Sequence, residues 1–131
     1  MASKHTITVV FCLAGSLLPP AVASTSAPPQ TAVPRVIEVI AKRFTFEPAT
    51  IEAVEGERLR ILVKSGDGLH GFEIKKFKVS KELPRGADPV VIEFTASEAG
   101  KFPILCSVFC GDGHADMKGM LVVAARETAK P

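Results

Sequence analysis

The sequence has very little excess charge of either sign. Its 131 residues contain 16 lysines and arginines against 14 aspartates and glutamates, a formal net charge of +2 with neutral histidines. Loss of Lys4 with an N-terminal leader would leave 15 basic residues against 14 acidic ones. Because domains that bind nucleic acid carry a marked basic surface, we expect no nucleic-acid partner.

A few basic side chains do lie close together along the chain. We interpret them as the charged edge of a strand, which discourages edge-to-edge aggregation. The alternative is a surface that steers an acidic partner. The residues concerned are Lys75, Lys76, Lys78, Lys81 and Arg85.

Long apolar runs are also absent. Residues 7–18 are almost wholly apolar, but this run is short against the roughly 20 residues of a membrane span, and Pro19 follows it. Lys4 precedes the run, and Ala-Val-Ala at 21–23 has the small-x-small pattern of a signal peptidase site. We therefore predict a cleaved signal peptide at residues 1–23, a periplasmic or secreted protein, and no transmembrane segment in the mature chain. A retained membrane anchor is the alternative.

No internal repeat and no long helical period are found in the remaining sequence. Cleavage would leave 108 of the 131 residues, enough for one domain with one core. Residues 24–34 are rich in proline, serine, threonine and alanine and are predicted to be a flexible leader. We predict a single domain at residues 35–126 and a short C-terminal tail at 127–131.

Alternating and β-branched apolar segments indicate strands instead of helices. Prolines and glycines separate these segments at short intervals. Several short strands in about a hundred residues are typical of an all-β sandwich or Greek-key barrel. The predicted strands are residues 36–41, 59–64, 90–95, 102–106 and 120–124.

Cysteine and histidine are scarce, with three of each, and half of these six residues fall in one stretch. Cys12 lies in the predicted signal peptide. The other two cysteines belong to CSVFCGDGHADMKG, residues 106–119, between the last two predicted strands. The same loop contains His114 and Met117. It therefore brings thiol, imidazole and thioether groups into one short segment.

Two interpretations of this loop are possible, and they require different residues. Cysteine count alone favours a disulfide between Cys106 and Cys110 in an exported protein. A disulfide, however, requires neither His114 nor Met117. Copper selects thiolate, imidazole and thioether ligands together by their softness, and the spacing of Cys110, His114 and Met117 is typical of a blue-copper loop. The neighbouring residues therefore favour a copper site.

A copper site of this kind needs a second imidazole. His5 lies in the predicted signal peptide, so His70, in SGDGLHGF, is the histidine that remains. Glycines on either side let the backbone approach a site closely. A lone histidine beside apolar residues is often a hydrogen-bonded core residue, but here we interpret His70 as a metal ligand.

The spacing Cys-x-x-x-Cys-Gly-x-x-His-x-x-Met, with an upstream Asp-x-x-His, resembles the CuA domain of cytochrome c oxidase subunit II and of nitrous-oxide reductase, a cupredoxin. FTFEPATIEAVEGERLRILVKSGDGLHGF, residues 44–72, resembles the first half of that domain. AGKFPILCSVFCGDGHADMKGMLVV, residues 99–123, resembles the second half. The resemblance implies a cupredoxin-like Greek-key β-sandwich or barrel.

The resemblance also implies a set of ligands for two copper ions. Cys106 and Cys110 would bridge the ions, with His70 on one copper and His114 on the other. Met117 would be a weak axial ligand on the His70 copper, and the backbone carbonyl of Val108 would bind the second copper. Phe72, Ile104 and Phe109 would pack around the site and exclude water.

Two departures from the oxidase pattern concern partners. Val108 stands where oxidase subunits usually carry a glutamate that serves a magnesium site, and in this respect the chain is similar to nitrous-oxide reductase. The chain has no tryptophan and no tyrosine, whereas the oxidase subunit presents an aromatic patch to cytochrome c. We expect a redox protein partner, such as a cytochrome or a terminal oxidase or reductase, or a copper chaperone.

Three functions are compatible with these residues. The first is an electron-transfer module with a dinuclear copper centre, not itself an enzyme, working as a free carrier or within a larger oxidoreductase. The second is a copper storage or delivery protein, or a mononuclear blue-copper carrier, that uses the same ligands. The third is a structural module in which the cysteines form a disulfide or bind zinc with the histidines.

Overall fold

The structure, a computed structural model, describes residues 33–127. Within this range the chain forms nine β-strands and two short 3-10 helices, so the prediction of an all-β protein is confirmed. No helix among the described residues is both long enough and apolar enough to cross a membrane. The predicted signal peptide and most of the leader and C-terminal tail lie outside the described residues. The strands are β1 (Arg35–Lys42), β2 (Thr45–Glu47), β3 (Thr50–Val54), β4 (Glu57–Ser65), β5 (His70–Ile74), β6 (Val79–Leu83), β7 (Val90–Ala96), β8 (Gly100–Leu105) and β9 (Lys118–Ala124); the 3-10 helices are Lys75–Phe77 and His114–Asp116.

The strands form two sheets that face each other. One sheet has the order β2-β1-β4-β7 and the other β3-β9-β8-β5-β6. Pairing is parallel between β1 and β4 and between β3 and β9, and antiparallel between the other neighbours. Strand β4 illustrates the period of two: Leu59, Ile61 and Val63 are buried, while Arg60 and Lys64 are exposed.

The core between the sheets consists mainly of aliphatic side chains and phenylalanines. Phe46 and Phe72 come from opposite sheets and meet edge to face, with ring centroids 5.6 Å apart. Such a contact adds about 0.5–1.5 kcal/mol to the stabilisation from burial. The rings of Phe77, Phe94 and Phe102 pack together in a second aromatic group. This core holds the two sheets in a fixed relation.

Four strands, β2, β3, β5 and β6, were not predicted, and each is short or atypical in composition. Strand β5 contains a histidine and a glycine, and β6 has three exposed residues out of five. His70 is the first residue of β5. Cys106 is the residue directly after β8 and does not belong to that strand. The cluster of basic residues includes the exposed Lys81 on β6, an edge strand of its sheet.

Three connections come together at one end of the sandwich. Ala41 near the end of β1 pairs with Ser65 at the end of β4, so the turn at residues 43–44 lies beside the loop at 66–69. Leu105 at the end of β8 pairs with Lys118 at the start of β9 and with Glu73 of β5. The long loop at 106–117 therefore begins and ends next to the strand that starts with His70.

Candidate metal centre

His70 is held in one orientation by the loop that precedes it. Its side chain is fully buried, and its Nε2 atom lies 2.7 Å from Oδ1 of Asp67. The loop is closed by the hydroxyl of Ser65, which donates to the backbone carbonyl of Gly68 and accepts the Gly68 N–H. With Nε2 occupied, the Nδ1 atom is directed at the thiol of Cys106, 4.0 Å away. A carboxylate on the far nitrogen is how proteins commonly orient a metal-binding imidazole.

Asp67 remains a carboxylate in this arrangement. The backbone N–H of Arg43 donates to its Oδ2 atom at 2.9 Å. This hydrogen bond, followed by the contact with His70, holds the pKa of Asp67 below its ordinary value. Asp67 therefore accepts from both partners across the physiological pH range.

The two cysteines are buried side by side as free thiols. Their Sγ atoms are 3.6 Å apart, well beyond the roughly 2.05 Å of a disulfide bond. Burial, and then the neighbouring Cys106 thiol, raise the pKa of Cys110 to about 11. A metal that binds here must therefore displace a proton from Cys110 at neutral pH.

His114 and Met117 both reach Cys110. The Nδ1 atom of His114 is 3.8 Å from the Cys110 sulfur, and the thioether sulfur of Met117 is 3.7 Å from it. The 3-10 helix at 114–116 brings them together, since the Met117 N–H donates to the His114 carbonyl at 3.2 Å. The Met117 side chain is fully buried, whereas His114 is half-buried. Cys110 is thus in contact with a second thiol, an imidazole and a thioether.

The backbone of the same region also faces the thiols. The carbonyl oxygen of Val108 lies 3.1 Å from the sulfur of Cys106. The N–H of Gly71 donates to that sulfur at 3.4 Å. The structure therefore brings together all six residues that the sequence indicated as ligands: His70, Cys106, Val108, Cys110, His114 and Met117.

The expected apolar cover over the site is only partly present. Phe72 and Ile104 are fully buried, but Phe109 is 73% exposed, so the prediction that it packs around the site is wrong. Its position in the middle of the loop turns its ring outward, where it lies 5.6 Å from the ring of His114. Phe44 and Leu69, which the sequence analysis did not place near the site, are also partly exposed at this end of the sandwich. Their exposed fractions are 37% and 46%.

Gly71 permits a close approach between β5 and the cysteine loop. A Cβ atom at this position would lie 2.6 Å from the backbone nitrogen of Ser107 and 2.7 Å from that of Val108. These distances are far below van der Waals contact, and both neighbours are backbone atoms. No side chain can therefore replace the glycine without moving β5 away from the ligand loop.

Replacement of Gly71 by alanine is expected to weaken metal binding by about tenfold or more, because it displaces the strand that carries His70. It should also destabilise the fold by about 1–3 kcal/mol, the usual cost of overpacking. Gly66→Ala is the matched control, since its Cβ would first meet the flexible side chain of Lys42. Chelator competition and chemical denaturation measure the two effects. Wild-type affinity and stability in the Gly71 variant would contradict this account of the site.

The chemistry of the donors indicates which metals fit. The nearest donor atoms of His70, Cys106 and Cys110 all lie within 4.8 Å of one another, and the three residues are buried. Thiolates and imidazoles suit copper and zinc, whereas magnesium and calcium require oxygen ligands. The thioether of Met117 adds a ligand that copper uses and structural zinc sites do not. The residues therefore fit copper best.

The fold and the site together define a two-sheet β-sandwich with a soft-metal ligand cluster at one end. A family description for the cupredoxin-like domain matches residues 8–123. The chain belongs to the cupredoxin-like domain family.

Relatives at the sequence level are cytochrome c oxidase subunits 2. The chain is 30% identical over 87 residues to a subunit of this name from Thermus thermophilus, a match that covers 66% of this chain and 64% of the relative. A second subunit of this name from the same species is also 30% identical over 87 residues. The chain spans 64% and 51% of the lengths of these two curated relatives.

A solved structure supports the same fold. The periplasmic domain of subunit II of cytochrome oxidase from Bradyrhizobium japonicum superimposes with a TM-score of 0.60 at 19% identity. The match covers 69% of this chain and 83% of that one. At this level of identity the likeness shows the cupredoxin-like fold alone, and it confirms the predicted fold class.

Proposed function

We propose that this chain is an exported electron-transfer module that binds two copper ions through the six residues at the end of its sandwich. The observation that carries the proposal is the pair of buried free thiols, 3.6 Å apart, with an imidazole directed at each. A mononuclear blue-copper site uses two imidazoles and a single thiolate, so the second thiol is not needed for one copper ion. The homology to cytochrome c oxidase subunits 2 supports the same conclusion.

The residues around the site are suited to rapid electron transfer. When bound by these residues, two copper ions would share the transferred electron, so that its arrival or departure would change bond lengths little. Asp67 fixes the ring of His70, and the 3-10 helix fixes His114 and Met117 relative to Cys110. Phe72 and Ile104 exclude water from the inner side. Because the ligands are fixed and water is excluded from the inner side, the reorganisation energy of electron transfer stays small.

The proposed partner is another redox protein, such as a cytochrome or a terminal oxidase or reductase. Exchange of electrons requires a partner to approach the outer side of the site. His114 is half-buried there beside the exposed Phe109, which makes this end the shortest route to the ligands. A periplasmic or secreted location follows from the predicted signal peptide, and a copper chaperone is the expected donor of the metal.

The first test is the stoichiometry and spin state of the loaded protein. We expect two copper ions per chain and a purple, mixed-valence spectrum, with a seven-line hyperfine pattern because one electron couples equally to two copper nuclei. Metal analysis and electron paramagnetic resonance measure this directly. A four-line pattern at saturating copper would indicate a mononuclear carrier, and colourless loaded protein would indicate storage of cuprous copper; either result would overturn the dinuclear assignment.

A further inference from the structure

The turn between β1 and β2 touches both loops that carry the proposed ligands. It consists of Arg43 and Phe44 and is called here the 43–44 turn. The loop at 66–69 leads into His70, and the loop at 106–117 contains the cysteines. These loops are far apart in sequence, and the 43–44 turn is remote from both along the chain. Its contacts with them are therefore a product of the fold.

Arg43 is bound to the histidine loop by its backbone. Its N–H donates to Oδ2 of Asp67 at 2.9 Å, and Oδ1 of the same carboxylate lies 2.7 Å from Nε2 of His70. The guanidinium lies over Gly68, where a Cβ atom would be 3.2 Å from Nη2. The absence of a side chain at Gly68 thus leaves room for the guanidinium to cross the histidine loop.

Beyond Gly68 the side chain of Arg43 reaches the cysteine loop. Its Nε donates to the backbone carbonyl of Cys110 at 3.1 Å. Phe44 reinforces this contact, because its ring covers Gly111 and Gly113, where Cβ atoms would lie 3.0 Å and 2.6 Å from carbons of the ring. The 43–44 turn therefore holds the carboxylate behind one imidazole and the backbone of Cys110 at the same time.

We propose that Arg43 is a positioning residue for the metal centre: its Nε–H bond to the Cys110 carbonyl fixes the cysteine loop relative to His70. This inference rests on the proposed function, since the positioned groups are the proposed ligands. Cys110 contacts three other donor side chains, so a shift of its backbone moves the centre of the ligand cluster. Loss of an outer-shell partner typically weakens metal binding by about 10–100-fold.

Two substitutions separate the hydrogen bond from the charge. In Arg43→Gln the side-chain NH₂ stands at the same number of bonds from the backbone as Nε of arginine, so the donor is kept and the charge is lost. In Arg43→Met a methyl group takes that place, so both are lost. The backbone N–H that binds Asp67 survives in both variants. Arg60→Met is the control, because Arg60 is exposed on β4 and pairs there with Glu93 at 3.3 Å.

Copper affinity by chelator competition is the first readout. We expect Arg43→Met to bind copper about tenfold more weakly than wild type, with Arg43→Gln and Arg60→Met within about twofold of it. The reduction potential of Arg43→Gln should fall, because loss of a nearby cation disfavours the reduced centre. Gly68→Ala, which crowds the guanidinium, should weaken binding in the same direction as Arg43→Met.

Amide hydrogen exchange of the metal-free protein is the second readout. Exchange at the hydrogen-bonded amides of the two loops should be faster in Arg43→Met than in wild type and Arg43→Gln; these are the amides of Gly66, Gly68, His114 and Asp116. Equal exchange and affinity in Arg43→Met and Arg60→Met would overturn the proposal. So would an Arg43→Gln variant as impaired as Arg43→Met, because charge would then be responsible. If wild-type protein bound no copper, the proposed function would fail, while the exchange experiment would still decide whether Arg43 positions the loops.

Discussion

Replacement of Cys106 by serine is expected to leave a folded protein that binds one copper ion and shows a single intense thiolate-to-copper absorption band. Serine is close in size to cysteine, so the sheets on either side should remain intact. Its hydroxyl is a poor copper ligand and does not bridge two ions as a thiolate does. The side chains that remain are two imidazoles, one thiolate and one thioether, which is the ligand set of a blue-copper site.

The contacts of Cys110 explain why the two cysteines are not equivalent. The sulfur of Cys110 lies within 4 Å of donor atoms of Cys106, His114 and Met117, and within 4.8 Å of His70. Within 4 Å, the sulfur of Cys106 meets the imidazole of His70, at 4.0 Å, and the sulfur of Cys110. Replacement of Cys110 by serine therefore removes the donor at the centre of the cluster. Its effect on copper affinity should exceed the roughly 10–100-fold of an outer-shell change.

Metal analysis and the visible and electron-spin spectra of both variants check this prediction. Cys106→Ser should retain one copper with a four-line hyperfine pattern, and Cys110→Ser should lose most of its copper at the same chelator concentration. Circular dichroism of the metal-free variants controls for folding. Two delocalised coppers in Cys106→Ser, or equal loss of copper from both variants, would contradict the assignment of Cys110 as the central ligand.

The parts of the site that the sequence indicated are those that local spacing determines. Cys110, His114 and Met117 belong to one short loop, and a single 3-10 turn is enough to bring the imidazole and the thioether to the thiol. The alternation of apolar residues likewise indicated long strands such as β4 and β7, because one face of each is buried between the sheets. Fold class follows from such patterns without knowledge of tertiary contacts.

The parts that the sequence did not indicate depend on contacts between distant segments. Arg43 meets Asp67 and Cys110 only because β1 and β4 run parallel and end together. A single arginine in a turn has no local signal for that role. The exposure of Phe109 is also unpredictable from composition, since a phenylalanine beside a ligand is expected to be buried and only the path of the loop turns it outward.

The two short strands β5 and β6 were missed for a different reason. Strand β5 is buried at four of its five positions, so it lacks the alternation that marks a strand with one solvent face. Strand β6 lies at a sheet edge and carries polar side chains on exposed positions. The glycine at position 71 weakens the strand signal further. The same residue is the one whose small size allows β5 to approach the cysteine loop.

Metal-free protein exposed to air is expected to lose its capacity for copper until a reductant is added. The thiols of Cys106 and Cys110 are 3.6 Å apart, so a rotation of the side chains brings the sulfurs to bonding distance. Oxidation removes two electrons and two protons from the pair and forms one S–S bond, with dissolved oxygen as the electron acceptor. The disulfide has no thiolate to offer a metal, and an oxidising compartment favours it whenever copper is absent.

The pH dependence of this oxidation follows from the state of the thiols. The thiolate is the reactive form, and the pKa of Cys110 is raised to about 11, mainly by burial. Because burial keeps Cys110 mostly protonated at neutral pH, its thiolate fraction and its contribution to the oxidation rate should rise as the pH is raised. Thiol titration and copper uptake, before and after treatment with dithiothreitol, measure both effects.

Cys106→Ser is the matched control: it has no partner thiol, so air-exposed metal-free protein should bind its one copper without a reductant. Full copper uptake by air-exposed wild-type protein would contradict the close approach of the two sulfurs.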